Sequence, residues 1–171
     1  LEHTEFLGNT LEEIAMTKGG IIKPGCDVVC YNSAPEVVSI IRQLSGVWGA
    51  AFHLVDFDSV KPMSHDLSGE TFEWNGLACN VPLLGDYQLH NAATALTAIS
   101  ALRRRGWDIS DDAVVTGLAK TRWPARFEVL GREPLFLLDG SDRNHAPLAA
   151  VVIRLAAHDI CQMLCYFYGS F

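Results

Sequence analysis

Lysine is scarce in these 171 residues: only Lys18, Lys23, Lys61 and Lys120 occur. None follows a glycine, so the chain contains no Gly-x-x-x-x-Gly-Lys-Ser/Thr loop of the kind that cradles phosphates. No apolar run approaches the ~18–20 residues that a bilayer-spanning helix needs. Leu1-Glu2-His3 lacks the basic and apolar regions of a secretory leader. Positive charge is also short. A net charge of −7 and a pI near 5.2 argue against a nucleic-acid or anionic-membrane surface. The one basic cluster, Arg103-Arg104-Arg105, closes an apolar helix, where cations suit the helix dipole. The five cysteines are odd in number and unevenly spread, unlike a secreted disulfide framework. Cys26 and Cys30 share a C-x3-C spacing with Cys161 and Cys165, which invites a zinc reading. The first pair, however, lies in "CDVVCYN", an expected strand where cysteine acts as a small hydrophobe, and no histidine pair completes a ligand set. Buried or free thiols in a reducing cytoplasm are the expectation.

Core-forming residues are plentiful, with 49% hydrophobic, so a packed domain, or parts of two, is expected rather than disorder. Thr10 and Glu13 form a capping box that opens a helix, and Gly19-Gly20 closes it. "CDVVCYN" (26–32) reads as a strand. Ser33 with Glu36 reads as a second capping box, opening an amphipathic helix to about Leu44, and "AFHLVDF" (51–57) as another strand. This alternation is the grammar of an α/β fold with a parallel sheet. The texture then changes. "GETFEWNGLACNVPLLG" has two alternating segments around Asn75-Gly76, a type I′ hairpin signal, and so a small antiparallel insert is expected. "DYQLHNAATALTAISALRRRG" predicts a long helix and "ISDDAVVTGLAKT" a shorter one capped near Ser110. "ARFEVLGREPLFLLDG" predicts a strand pair around Gly131. Beyond Ser141 the composition shifts, and a helix is expected through Ala157.

Two of the four lysines flank the glycine pair at the end of the first helix. Elementary chemistry makes Lys18 a cation at a helix C-terminus, worth at most ~1 kcal/mol, and Lys23 a solvated turn residue. Taken alone, His3 is an ordinary terminal histidine, Asn91 a polar residue near a helix start, and Arg126 and Asp139 a surface arginine and a strand-end acid.

Three ordered blocks change that reading: "EHTEFLGNTLEEIAMTKGGIIKPG", "LLGDYQLHNAATAL", and "TRWPARFEVL" followed by "LFLLDG". Together they resemble the folylpolyglutamate synthase and dihydrofolate synthase branch of the Mur-type ATP-dependent ligases. The resemblance runs through residues 2 to 140. It implies activation of a folate or pteroate carboxylate by ATP and attack by the amino group of L-glutamate, with Mg²⁺ neutralising phosphate charge. It further implies that His3 is a magnesium ligand and that Lys18 is carbamylated, which requires an amine whose pKa is depressed. By the same resemblance, Asn91 contacts the nucleotide, with Gln88 one turn earlier on the same face. Arg126 reaches the ATP phosphates as a permanently charged fork, with Trp123 packing beneath it. Asp139 contacts the nucleotide from the first strand of the next domain. Tyr87 stands where many relatives have His.

The domains implied are the later half of a central ATP-binding domain at 1–120, a linker at 121–128, and the start of a Rossmann-like domain at 129–171. Past Gly140 the match stops: Ser141-Asp142-Arg143-Asn144 stands where relatives continue into His-Asn-Pro. The expectation is a fragment of a cytoplasmic, monomeric ligase. The phosphate loop and the metal-sharing glutamate of such a ligase lie upstream of these residues, so no ligation is expected from the chain alone. A non-catalytic nucleotide-binding module and another Mur-type peptide ligase are the competing readings.

Overall fold

The computed structural model describes residues 10–139 and 149–152. The described residues form two compact units, those up to 58 with 93–109 and those of 59–92 with the ones from 110 onward.

The first unit opens with α1 (Leu11–Gly19). Its capping box forms as expected: the Thr10 hydroxyl accepts from the Glu13 amide at 3.1 Å, and the Glu13 carboxylate accepts from the Thr10 amide at 3.3 Å. Gly19 is buried, and a Cβ there would stand 2.3 Å from Leu44 Cδ1. The absent side chain therefore lets α1 lie close against α2 (Pro35–Val47). That gives the glycine pair a packing role independent of Lys18. β1 (Asp27–Cys30) pairs in parallel with β2 (Ala51–Leu54), with Asp27 opposite Ala51 and Val29 opposite His53. A parallel pair needs a crossover, and α2 supplies it. The second expected capping box does not form. The residue preceding α2 is Ala34, its N-cap carries no side-chain hydrogen bond, and Pro35 begins the helix, where its fixed φ and missing N–H cost nothing. Ala15, Ile22, Cys30, Val55, Ala93, Leu96 and Ala101 are the buried hydrophobic residues of this unit among those described.

The second unit holds an antiparallel sheet of β3 (Val60–Asp66), β4 (Gly69–Trp74) and β5 (Leu77–Val81). Asn75 and Gly76 take φ of 50° and 80°, the left-handed pair that a two-residue hairpin turn requires. β3 has no counterpart among the expected elements. It is exposed along almost its whole length, and its pairing shifts register between Pro62 and Ser64, so neither alternation nor β-propensity marks it. α3 (Tyr87–Arg104) runs through both units, its residues to Ala92 in the second and the rest in the first. α4 (Asp111–Ala119) is capped by Ser110, whose hydroxyl accepts from the Ala113 amide at 3.1 Å, and it packs on β5. β6 (Glu128–Arg132) and β7 (Leu135–Asp139) form a hairpin that turns at Glu133-Pro134. Gly131 lies inside β6 at a register shift, not in the turn. β8 (Ala149–Val152) pairs antiparallel with β7. This overturns the helix expected there: a short apolar run does not reveal its period, and paired valines suit a pleated strand. Phe72, Trp74, Cys79 and Val81 are buried in the sheet. Leu84, Leu135 and Leu137 form a second cluster, packed by Leu67, Phe127 and Val129.

Cys26 is half-buried, Cys30 and Cys79 are buried, and all three are free thiols. Burial pushes the Cys30 and Cys79 thiols up. Among the described residues, no helix is long and apolar enough to cross a membrane.

Candidate functional site

The start of α3 is built on Gly85. This residue is buried at φ +109°, a backbone region that side chains avoid, and a Cβ there would meet the Tyr87 ring at 2.6 Å. Its carbonyl accepts from the Gln88 amide at 2.8 Å, forming the first turn. Its own N–H donates to the Glu70 carboxylate at 3.3 Å. Glu70 is only 5% exposed, and loss of water raises its pKa above the usual glutamate value; the Gly85 N–H opposes that shift. Gln88 is 2% exposed and accepts, through Oε1, a 3.0 Å hydrogen bond from the Asn91 amide. Asn91 itself is exposed. The expected pairing of these two side chains on one helix face is therefore realised. With one N–H given to Gln88, Asn91 keeps a second N–H and a carbonyl oxygen for a ligand edge.

The linker carries the other candidate of this unit. Arg126 is half-buried, with its guanidinium carbon 5.2 Å from the centroid of the exposed Trp123 ring, a cation–π contact that orients the fork. It sits between two residues in left-handed conformation, Ala125 at φ 60° and Phe127 at φ 47°. For residues with a Cβ such a geometry costs about 1–2 kcal/mol each. The Ala125 N–H donates to the Glu128 carboxylate at 2.9 Å, which helps hold the strained turn. Arg122, Trp123, Arg126 and Arg132 line a cavity of about 450 Å³ together with Leu67 and Leu84. Three guanidinium groups beside an aromatic ring suit an anionic ligand with a flat part. Asn91 is not among the residues lining that cavity.

Lys18 belongs to the first unit, where it lies exposed in the last turn of α1; the described residues do not supply the burial that a carbamylated lysine would need. Asp139 ends β7. His3 lies outside the described residues.

Two groups escape a reading of the sequence alone. One is Glu70, whose signal was its position: in "ETFEW" it shares the alternating core face of Phe72 and Trp74. The other is an ionic group in the first unit. His53 Nε2 lies 2.6 Å from Asp27 Oδ1, and Arg104 reaches His53 Nδ1 at 3.1 Å. A guanidinium only donates, so Nδ1 accepts and the imidazole proton sits on Nε2, facing Asp27. Arg105 donates to the second oxygen of Asp27 and to the Gly25 carbonyl. Hydrogen bonds from His53 and then Arg105 hold the Asp27 carboxyl below its usual range. These side chains satisfy one another, and the group ties the end of α3 to the edge of β1 and β2.

No protein-family model matches the chain. Curated relatives do. It is 31% identical to a probable bifunctional folylpolyglutamate synthase/dihydropteroate synthase of Halobacterium salinarum, over 98% of this chain and 21% of that protein. It is 33% identical to the folylpolyglutamate synthase of Lacticaseibacillus casei, over 82% of this chain and 35% of that protein. The dihydrofolate synthase/folylpolyglutamate synthase of Bacillus subtilis gives 33% over 82% of this chain and 34% of that protein. The chain thus spans about a fifth to a third of the length of the curated relatives it matches. Among solved structures, the apo form of the L. casei synthase superposes with a TM-score of 0.72 at 32% identity, over 84% of this chain and 37% of that one. A synthase in complex with AMPPCP and folate gives 0.72 at 28%, over all of this chain and 47% of that one. The mixed parallel and antiparallel α/β fold is of the Mur-ligase type. With sequence and fold in agreement along most of its length, the chain belongs to the folylpolyglutamate synthase and dihydrofolate synthase family.

Proposed function

We propose that the chain is part of an ATP-dependent ligase that joins L-glutamate to folate or dihydropteroate through an acyl phosphate. The observation that carries this reading is the ordered match of sequence and fold to synthases, one of them solved with both an ATP analogue and folate. Residues 1–120 are then the later half of the central ATP-binding domain, 121–128 the linker, and 129–171 the start of the C-terminal domain.

The residues present fit a nucleotide. Asn91 offers an exposed donor and acceptor at the start of a helix, suited to an adenine edge. Arg126, stacked on Trp123 at the cavity, is a fork for phosphate oxygens. Asp139 is the third nucleotide contact in this reading. ATP supplies the phosphoryl group that activates the carboxylate; the chain's own residues bind and orient it. Mg²⁺ would accompany ATP in such chemistry, with His3 as its ligand and Lys18, exposed among the described residues, as the lysine that would carry the carbamate. No three His, Cys, Asp or Glu side chains converge among the described residues.

ADP release by the protein translated from the complete reading frame tests the proposal. Release should depend on L-glutamate together with folate or dihydropteroate, and Arg126→Ala should cut it at least tenfold, the scale of a lost charged phosphate contact. Turnover confined to UDP-linked peptides would assign the chain to another Mur-type ligase. The present 171 residues contain no phosphate loop, and nucleotide binding without turnover is the behaviour expected of them alone.

A further inference from the structure

Glu70 is a carboxylate on the core face of β4, the face that it shares with Phe72 and Trp74. A charged side chain in that position is costly unless something uses it. The side-chain partner that the structure gives it is a backbone N–H, that of Gly85. From there the hydrogen bonds run in one direction. Gly85 is the buried, left-handed residue whose carbonyl starts α3 by accepting from Gln88 N–H. Gln88, also buried, holds the exposed Asn91 amide through its Oε1. Each link is satisfied, and only the last side chain reaches the surface.

We propose that Glu70 is a positioning residue for nucleotide recognition: through the Gly85 amide and the buried Gln88 it sets the place and orientation of Asn91. The antiparallel insert then has a task beyond filling space, since its middle strand anchors the turn from which the recognition helix departs. The proposal rests on the reading of Asn91 as a nucleotide contact. Glu70 touches no ligand and acts only through the backbone and Gln88. An acceptor is what the Gly85 N–H needs, so a glutamine at 70 should serve where an alanine does not.

The test uses the 171-residue chain as Glu70→Gln, Glu70→Ala, Asn91→Ala and the double variant Glu70→Ala/Asn91→Ala. Glu73→Ala, on the same strand as Glu70 but with its side chain paired to Lys61 of β3, serves as control. Two readouts are taken: ADP affinity by calorimetry, and the side-chain amide signals of Gln88 and Asn91 in ¹⁵N-resolved spectra without nucleotide. Glu70→Ala should shift both amide pairs and weaken ADP about five- to tenfold, the effect of one lost hydrogen bond. Glu70→Gln should restore both, and Glu73→Ala should move neither. In the Asn91→Ala background, Glu70→Ala should cost no further affinity. Unmoved Asn91 signals in Glu70→Ala overturn the proposal, as do fully additive losses in the double variant. Amide signals that move while Asn91→Ala leaves ADP affinity unchanged overturn the nucleotide reading, and with it the recognition role of Glu70, but leave the hydrogen-bonded chain intact. Glu70→Gln keeps the test readable should the alanine variant fail to fold.

Discussion

The two ends of α3 are secured by opposite means. At its C-terminal end, in the first unit, Asp27 sits among cations and an imidazole at the margin of a two-stranded sheet, with its side chain 20% exposed and Arg105 48% exposed. At its N-terminal end, in the second unit, Glu70 is buried and receives a neutral backbone N–H. The same functional group therefore has its pKa lowered in one place and raised in the other. A half-buried carboxylate surrounded by charged and polar donors favours the charged form, whereas a buried one with a single neutral donor loses more solvation than it regains. The first arrangement is tolerant, since water can replace a lost partner. The second is demanding, and it lies beside the candidate nucleotide contact.

The largest effect should come from removing the apolar wall around Glu70. Phe72 is fully buried, and Phe72→Ala should cost about 3–5 kcal/mol in urea titrations. Water entering the cavity should also bring the Glu70 pKa back toward the usual range, erasing the contrast with Asp27. A smaller but still large loss is expected from Gly85→Ala. Its left-handed backbone costs about 1–2 kcal/mol for alanine, before the collision with Tyr87. The melting temperature should fall, and Gly25→Ala, also at positive φ but in open space, should lose only the backbone part.

Paired pH titrations sharpen the comparison further. For Asp27 the folded pKa lies below the unfolded one, so its stabilising contribution is present above about pH 4 and is lost as pH falls through the folded value. Asp27→Asn should therefore lose stability at neutral pH and flatten the acid limb of a melting-temperature profile. High salt should narrow the difference, because the pair with Arg105 is partly exposed. Glu70 has the opposite sign. Its folded pKa is raised, so its contribution is greatest below the ordinary value of 4.5 and declines as pH rises through the folded one. Glu70→Gln should gain stability relative to the parent as pH rises above that value. This is expected to be the smallest effect and the least sensitive to salt. A parallel acid response in the two variants would remove the distinction between the two sites.

Local signals in the sequence carried much of the fold. The Thr10–Glu13 box, the Asn75-Gly76 turn and the Ser110 cap each involve residues within a few positions of one another, and each forms. The Ser33–Glu36 box has the same spelling, but Pro35 and Ala34 set a different helix start. β3 and β8 escaped because edge pairing, not composition, makes them strands: one is polar with an internal proline, the other a run of four small apolar residues. At the site, the Gln88–Asn91 contact was legible from its helical spacing, and Trp123 beside Arg126 from adjacency. The partners of Arg104 and Arg105 were not, since His53 and Asp27 lie 51 and 78 residues away in sequence. Those arginines read only as helix-end charges. Glu70 is the instructive miss, because strand alternation already placed a carboxylate on a core face.

The most direct measurement is the ADP affinity of the chain by calorimetry, beside Arg126→Ala and Asn91→Ala. The account predicts saturable binding by the parent chain, weakened at least tenfold by Arg126→Ala, as expected for loss of a charged phosphate contact, and by a smaller factor in Asn91→Ala. Binding that is indifferent to both substitutions, or no binding at millimolar ADP, would contradict it.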